Sequence, residues 1–154
     1  MIAKEVFSTI EDAAKEFFQK VGIDGTVQVK ADEDTGVSID VTLQEPQLYI
    51  GEKGQTLFEI QHILKAIIRK KIPEQQLYIS LDINEYKQNK ESYLRELARS
   101  AADEVALLKK AKELPPMPPA ERRIVHMELA ERSDISTESD GEGDLRRVVI
   151  RGKN

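Results

Sequence analysis

The sequence predicts an α+β protein built from two small modules, and three observations carry that prediction. Apolar residues recur every three or four positions in several long runs, which is the period of one buried helix face. Between those runs the period drops to two, over residues 26–43 and 77–83, as in strands with one face buried. The chain has 154 residues, about the length of one ordinary domain or of two small ones sharing an interface.

Residues 2–21 place Val6, Ile10, Ala13, Ala14, Phe17 and Phe18 on one helix face, and Gly22 stops that helix. Val27 and Val29, then Val37, Ile39, Val41 and Leu43, alternate on either side of Asp32-Glu33-Asp34-Thr35-Gly36, a hairpin signal. Pro46 ends the second strand, and residues 47–50 form a short apolar lead-in to Gly51-Glu52-Lys53-Gly54-Gln55. Behind that turn, Leu57, Ile60, Ile63, Leu64, Ile67 and Ile68 predict a helix to Lys71 with all six on its buried face. Leu77, Ile79, Leu81 and Ile83 then alternate as a third strand. Three strands with helices on one face make a compact α+β module, over residues 1–83.

The second module, residues 84–154, opens on a helix. Tyr86, Tyr93, Leu94, Leu97, Ala98, Ala101, Val105 and Leu108 keep a helical stripe as far as Lys110, about 40 Å at 1.5 Å per residue. No flexible linker precedes it, so this helix is expected to couple the modules rigidly. Lys109, Lys110 and Lys112 suit its C-terminal end, and residues 114–119, with four prolines, read as extended. Pro119 suits the first position of a further helix, with Glu121 in its first turn. A hairpin closes the chain: residues 135–139, a turn at Asp140-Gly141-Glu142-Gly143, then residues 145–151. Its second strand sends Val148 and Ile150 one way and Arg147, Val149 and Arg151 the other.

Composition narrows the function. With 40% hydrophobic but only 5% aromatic residues and no Trp, the core is aliphatic. The absence of cysteine excludes disulfides and thiolate metal sites and fits a reducing compartment. No run approaches the roughly 20 apolar residues of a membrane span, and the first residues mix charges into what a signal peptide keeps apolar. A cytoplasmic protein without membrane insertion is expected. Net charge is −5, which argues against indiscriminate nucleic-acid binding. The excess is local: residues 1–83 carry 9 basic and 14 acidic side chains, residues 84–154 carry 14 of each. Lys53 with Lys65, Arg69, Lys70 and Lys71, then Arg122 and Arg123, then Arg146, Arg147, Arg151 and Lys153 form positive runs inside an acidic whole.

Two patterns in those runs have chemistry. A Gly-x-x-Gly turn opening a helix lets a sugar-phosphate backbone approach Gly51 and Gly54 closely, and free N–H groups at the helix start favour a phosphate. Lys53 adds a full charge. Arg122 and His126 are four residues apart and share a helix face, where a guanidinium offers a fork to phosphate and an imidazole can stack or hydrogen-bond. On spacing alone, the expectation for that pair is a surface pair tied to nearby carboxylates. His62 reads as an exposed polar position. Enzyme patterns are missing: there is no His-x-x-x-His, Gly-x-Ser-x-Gly or phosphate-loop sequence, and the acidic groups at 32–34 and 138–142 fall in turns. No catalytic residue, metal or cofactor is expected.

The order helix, strand, strand, short helix, Gly-x-x-Gly, helix, strand, with Ile50-Gly51-Glu52-Lys53-Gly54-Gln55-Thr56-Leu57 at its centre, resembles a type II KH domain, a module that clamps about four nucleotides. The run Pro119-Ala120-Glu121-Arg122-Arg123-Ile124-Val125-His126, followed by Thr137 to Glu142 and Arg146 to Ile150, resembles the domain named for its Arg-x-x-x-His motif, a binder of single-stranded nucleic acid. Both in that order, joined by a helix starting near Tyr86, resemble the bacterial Jag/KhpB family, also called SpoIIIJ-associated protein. The resemblance covers nearly the whole chain.

It implies single-stranded RNA binding, with single-stranded DNA as an alternative ligand. Gly51, Glu52, Lys53, Gly54 and Gln55 would form the first contact, with Lys65 and Arg69 extending it. Arg122, His126 and Arg147 would form the second, with Arg123 and Arg146 as neighbours. It also implies RNA chaperone or post-transcriptional work linked to cell-envelope growth and division, and a second small KH protein as partner. Two departures matter. Family loops usually carry basic residues at both x positions, whereas Glu52 would repel a phosphate, and the family's additional N-terminal domain is expected to be missing. Glu52 keeps open the alternative of a protein-interaction scaffold whose loop has lost its RNA.

Overall fold

The computed structural model describes residues 2–31 and 36–154; of the turn expected at residues 32–36, residues 32–35 lie outside them, and Gly36 opens a strand. The chain divides into two compact units, one up to Lys87 and one from Gln88 to Asn154.

In the first unit the helix α1 spans Lys4–Lys20 and buries Ile10, Ala13, Ala14 and Phe18. Gly22 ends it at φ +74°: its N–H donates to Gln19 O and that of Ile23 to Phe18 O, a double closure that a left-handed glycine makes possible. Strands β1 (Gly25–Ala31) and β2 (Gly36–Leu43) are antiparallel, as the hairpin signal implied. The short helix α2 (Gln47–Ile50) and the helix α3 (Gln55–Lys71) then carry the chain across to β3 (Tyr78–Ile83). β3 lies parallel to β2, a pairing that alternation does not reveal and that needs such a crossover.

The sheet order is β1-β2-β3. Val37, Ile39 and Val41 sit opposite Ile79, Leu81 and Ile83, and all six are buried in one cluster with Leu57, Leu64 and Ile68 of α3. The core is therefore one sheet face under α1 and α3. Ile63 departs from expectation: it is 51% exposed, because it lies about 100° around the helix from Leu64 and past the edge of the stripe.

The helix α4 (Tyr86–Leu108) begins with the last two residues of the first unit, and in the second unit it buries Leu94, Ala98, Ala101, Ala102 and Val105. The helix stops at Leu108, short of Lys110, where Lys109 turns to φ +57°. Tyr93 and Leu108, expected on the stripe, are exposed. Lys112, expected as a helix-end charge, instead opens β4 (Lys112–Glu113). That strand, the helix α5 (Pro119–Leu129), and strands β5 (Ile135–Asp140) and β6 (Arg147–Gly152) complete the unit. The sheet order is β4-β6-β5, antiparallel throughout. Leu114 N–H donates to Val148 O and Met117 N–H to Arg146 O, so the proline-rich stretch continues along β6. Val125, Leu129, Ile135, Val148 and Ile150 share one core with α4. Pro119 stands at the first position of α5, as predicted. Among the described residues no helix is long and apolar enough to cross a membrane.

Candidate nucleic-acid interface

The glycine turn is held by its backbone. Gly51 adopts φ +73° and ψ −178°, a region open in practice only to glycine, and a β-carbon there would overlap Thr56 Oγ1. Gly51 N–H donates to Gln47 O, closing α2. Lys53 follows at φ +53° and Gly54 at φ +78°, so three of four residues are left-handed. Glu52 and Lys53 are both exposed at the tip, and Lys53 makes no ion pair among the described residues.

Not all of the N–H groups expected to be free at this helix start are so. Gly54 N–H donates to Gly51 O and Gln55 N–H to Glu52 O, because Glu52–Gly54 form a single 3-10 turn. The Gln55 carboxamide turns along the helix and donates to Glu59 Oε1 at 3.0 Å. Lys65 and Arg69 lie ten and fourteen residues past Gln55, about 15 and 21 Å along the axis, so the fold separates them from the turn.

They share a helix face with Phe58 and His62, both exposed, Phe58 at 62%. Lys65 Nζ stands 5.2 Å from the ring centroid of the exposed Tyr78. Sequence reasoning passed over Phe58 and Tyr78; positions 58, 62, 65 and 69, which share one face about 110° around the helix from the buried stripe, were the available signal.

In the second unit α5 carries Arg122, Arg123 and His126. Arg122 Nε donates to Met117 O at 3.2 Å, which leaves the two terminal nitrogens of its fork without a hydrogen bond among the described residues. The carboxylate ties expected for this pair are not found there. His126 Nδ1 lies 2.7 Å from Thr137 Oγ1 and Nε2 lies 2.9 Å from Ser139 Oγ. Burial first, and the Arg122 charge second, hold the imidazole below its usual pKa, so it is neutral at pH 7. Arg123, next along the helix, is exposed.

Register decides which arginines of the hairpin join this group. Thr137 pairs with Ile150 and Ser139 with Val148, so His126 lies on the core face of the sheet. Arg147 pairs with Asp140 on the opposite face, where its Nη1 donates to Glu113 Oε2 at 2.8 Å. The fold thus does not bring Arg147 together with His126. Arg146 alternates back, donates from Nη1 to Gly141 O at 2.7 Å, and accepts from Met117 N–H. Arg122 and Arg146 therefore both anchor at Met117. Among the described residues there is no cluster of His, Asp and Glu that could hold a metal ion.

Comparison with known proteins places these observations. The family model of the Arg-x-x-x-His domain matches residues 92–151, which contain Arg122, His126 and the hairpin arginines Arg146, Arg147 and Arg151. Several relatives carry the name RNA-binding protein KhpB. That of Clostridium symbiosum is 30% identical over 148 residues, covering 92% of this chain and 66% of the relative. That of Bacillus subtilis (strain 168) is 34% identical over 119 residues, covering 76% and 57%. That of Lactiplantibacillus plantarum is 32% identical over 114 residues, covering 74% and 34%. The chain spans less than two thirds of each relative's length.

Proposed function

The chain belongs to the Jag/KhpB family, and from that premise we propose that it binds single-stranded RNA through two modules, a type II KH domain over residues 1–83 and the Arg-x-x-x-His domain over residues 84–154. The observation that carries the reading is the placing of Arg122, with an open fork, beside His126 and near Arg146 on one side of the second unit. In the first unit Gly51, Lys53, Gly54 and Gln55 hold the RNA backbone, and Lys65 and Arg69 extend the track along α3, with Tyr78 and Phe58 as stacking surfaces. Arg123 and Arg147 serve the second unit as peripheral charges.

With about four phosphates neutralised, log K falls against log salt with a slope of roughly −3 on a single strand, and affinity is micromolar rather than nanomolar. The protein acts by binding, in the cytoplasm, without a cofactor and without chemistry on the RNA. By family it serves as an RNA chaperone or post-transcriptional regulator tied to envelope growth and division, alongside a second small KH protein. Single-stranded DNA is the competing ligand.

A second reading has its own support. Glu52 sits exposed at the tip, and the Gly54 and Gln55 N–H groups are already engaged. Both weaken a phosphate clamp and favour a first unit that acts as a protein-interaction scaffold.

Fluorescence anisotropy with labelled oligouridylate and oligoadenylate across a salt series separates the two. Lys53→Asp is the better probe of the loop, since a side chain at Gly54 would strike Tyr86. Two cooperating sites predict weaker binding and a shallower salt slope both for Lys53→Asp and for Arg122→Ala. A scaffold predicts loss only for Arg122→Ala. No binding by the unaltered chain at low salt would overturn RNA recognition altogether.

A further inference from the structure

We infer that His126 is a positioning residue rather than an RNA contact: it pins β5 to α5 through Thr137 and Ser139 and thereby holds the Arg122 fork where an RNA backbone can meet it. The inference deepens the proposed reading and rests on it. An imidazole has two polar atoms, and both are in use, Nδ1 at 2.7 Å from Thr137 Oγ1 and Nε2 at 2.9 Å from Ser139 Oγ.

Hydroxyls both donate and accept, so the neutral ring satisfies the pair in either tautomer: its N–H donates to one oxygen and its bare nitrogen accepts from the other. A phosphate approaching His126 would have to displace one of them. The two hydroxyls project from β5 at adjacent rows of the core face, opposite Ile150 and Val148, so the ring ties the edge strand to the helix at two points. Arg122 stands one turn earlier on the same helix, with Nε bonded to Met117 O, while Met117 N–H donates to Arg146 O. Fixing α5 against β5 therefore fixes Arg122 relative to Arg146.

The charged neighbour acting on the ring is Arg122 of α5, and β5 presents only the two hydroxyls to it. Burial and that neighbouring guanidinium disfavour the imidazolium. A ring that is neutral and fully bonded has little to offer a phosphate.

The test uses the whole chain and labelled oligouridylate. Replacing both hydroxyls, Thr137→Val with Ser139→Ala, is expected to weaken binding about three- to tenfold, as His126→Ala does, although neither new side chain alters charge. Binding is also expected not to strengthen from about pH 7.5 to pH 5.5, whereas a contacting imidazolium would add a phosphate contact on acidification. Ring nitrogen chemical shifts in the unaltered chain need no variant to fold, and they are expected to stay put when RNA is added while the Arg122 side-chain resonances move. Unimpaired binding by the hydroxyl double variant, tighter binding on acidification that His126→Ala abolishes, or displaced ring shifts would each overturn the inference. Absence of any binding by the unaltered chain would instead remove the reading beneath it.

Discussion

The ring of Tyr86 lies against Gly54: a β-carbon built on that glycine would stand 2.9 Å from Tyr86 Cε1. The first residue of α4 thus closes over the turn that opens α3, and the turn has no room for a side chain at this point. Gly54 also holds φ +78°.

Gly54→Ala therefore meets both penalties, a left-handed conformation costing about 1–2 kcal/mol and an overlap that Tyr86 must relieve. A loss of roughly 2–3 kcal/mol is expected in urea unfolding. Tyr86→Leu should recover part of the loss in a double-mutant cycle, because the smaller side chain leaves the new methyl space. At Lys53 the outcome reverses. Its φ of +53° suits glycine better than lysine, so Lys53→Gly should hold or raise stability while removing the loop charge. A fall in stability there would show that the lysine side chain supports the turn.

Glu128 joins two helices of the second unit, accepting from Arg95 at 2.6 Å and from Arg99 at 2.5 Å. Those hydrogen bonds hold its carboxyl below the ordinary value in the folded chain. Its contribution to stability is then complete above about pH 4.3, the unfolded value, and is lost as pH falls through the lower folded value. Glu128→Gln should accordingly lower stability at pH 7 yet flatten the decline below about pH 4. Urea midpoints in a pH series would show converging curves for the two proteins; parallel curves would deny Glu128 a titrating role.

Val149 shows where alternation stops being informative. It occupies the outward face of β6 with Arg147 and Arg151, yet it is only 2% exposed. Glu113 and Glu138 flank it in register, and the pairs Arg147–Glu113 and Arg151–Glu138 span the face on either side of it. The stems of long charged side chains cover apolar surface as effectively as a packed helix. Val149→Ala should cost about 1–2 kcal/mol, as for a core methyl pair. Glu113→Gln and Glu138→Gln, which keep most of the cover, should each cost less. Equal stability for Val149→Ala and the unaltered chain would mean that the face is open in solution.

The same residue explains how far the sequence could be read. Helix and strand periods gave α1, β1, β2, α3, β3, α4 and the closing hairpin within a few residues, because each buries one face of a regular element. β4 has two residues, too few to display any period, and it exists because β6 offers Lys112 and Glu113 an unpaired edge. Ile63 and Phe58 are apolar but outward, which spacing overrates in the first case and ignores in the second. At the site, Arg122 and His126 were legible from a four-residue spacing. The partners of His126 come from a strand eleven and thirteen residues further on, and the exclusion of Arg147 from its side depends on register, which no local pattern encodes.

Gln61 guards one open edge of the first sheet. β3 is an outer strand, so the N–H groups it turns away from β2 have no strand partner. Gln61 Oε1 accepts from Leu81 N–H at 2.9 Å and also from Lys87 Nζ at 2.6 Å, while Asp82 Oδ1 accepts from Ile83 N–H at 2.9 Å. Two successive outward amides of β3 are thus capped by different side chains, one from a helix and one from the strand itself. Gln61→Leu removes only the first cap. Amide exchange at Leu81 should then quicken about two- to tenfold, the range of one net hydrogen bond, while Ile83 keeps its rate. Burial holds the Lys87 ammonium below its usual pKa, and losing its oxygen partner should lower it further, which a lysine side-chain titration would detect. If Leu81 and Ile83 quicken together, the carboxamide is holding the whole strand rather than one amide, and the edge opens as a unit.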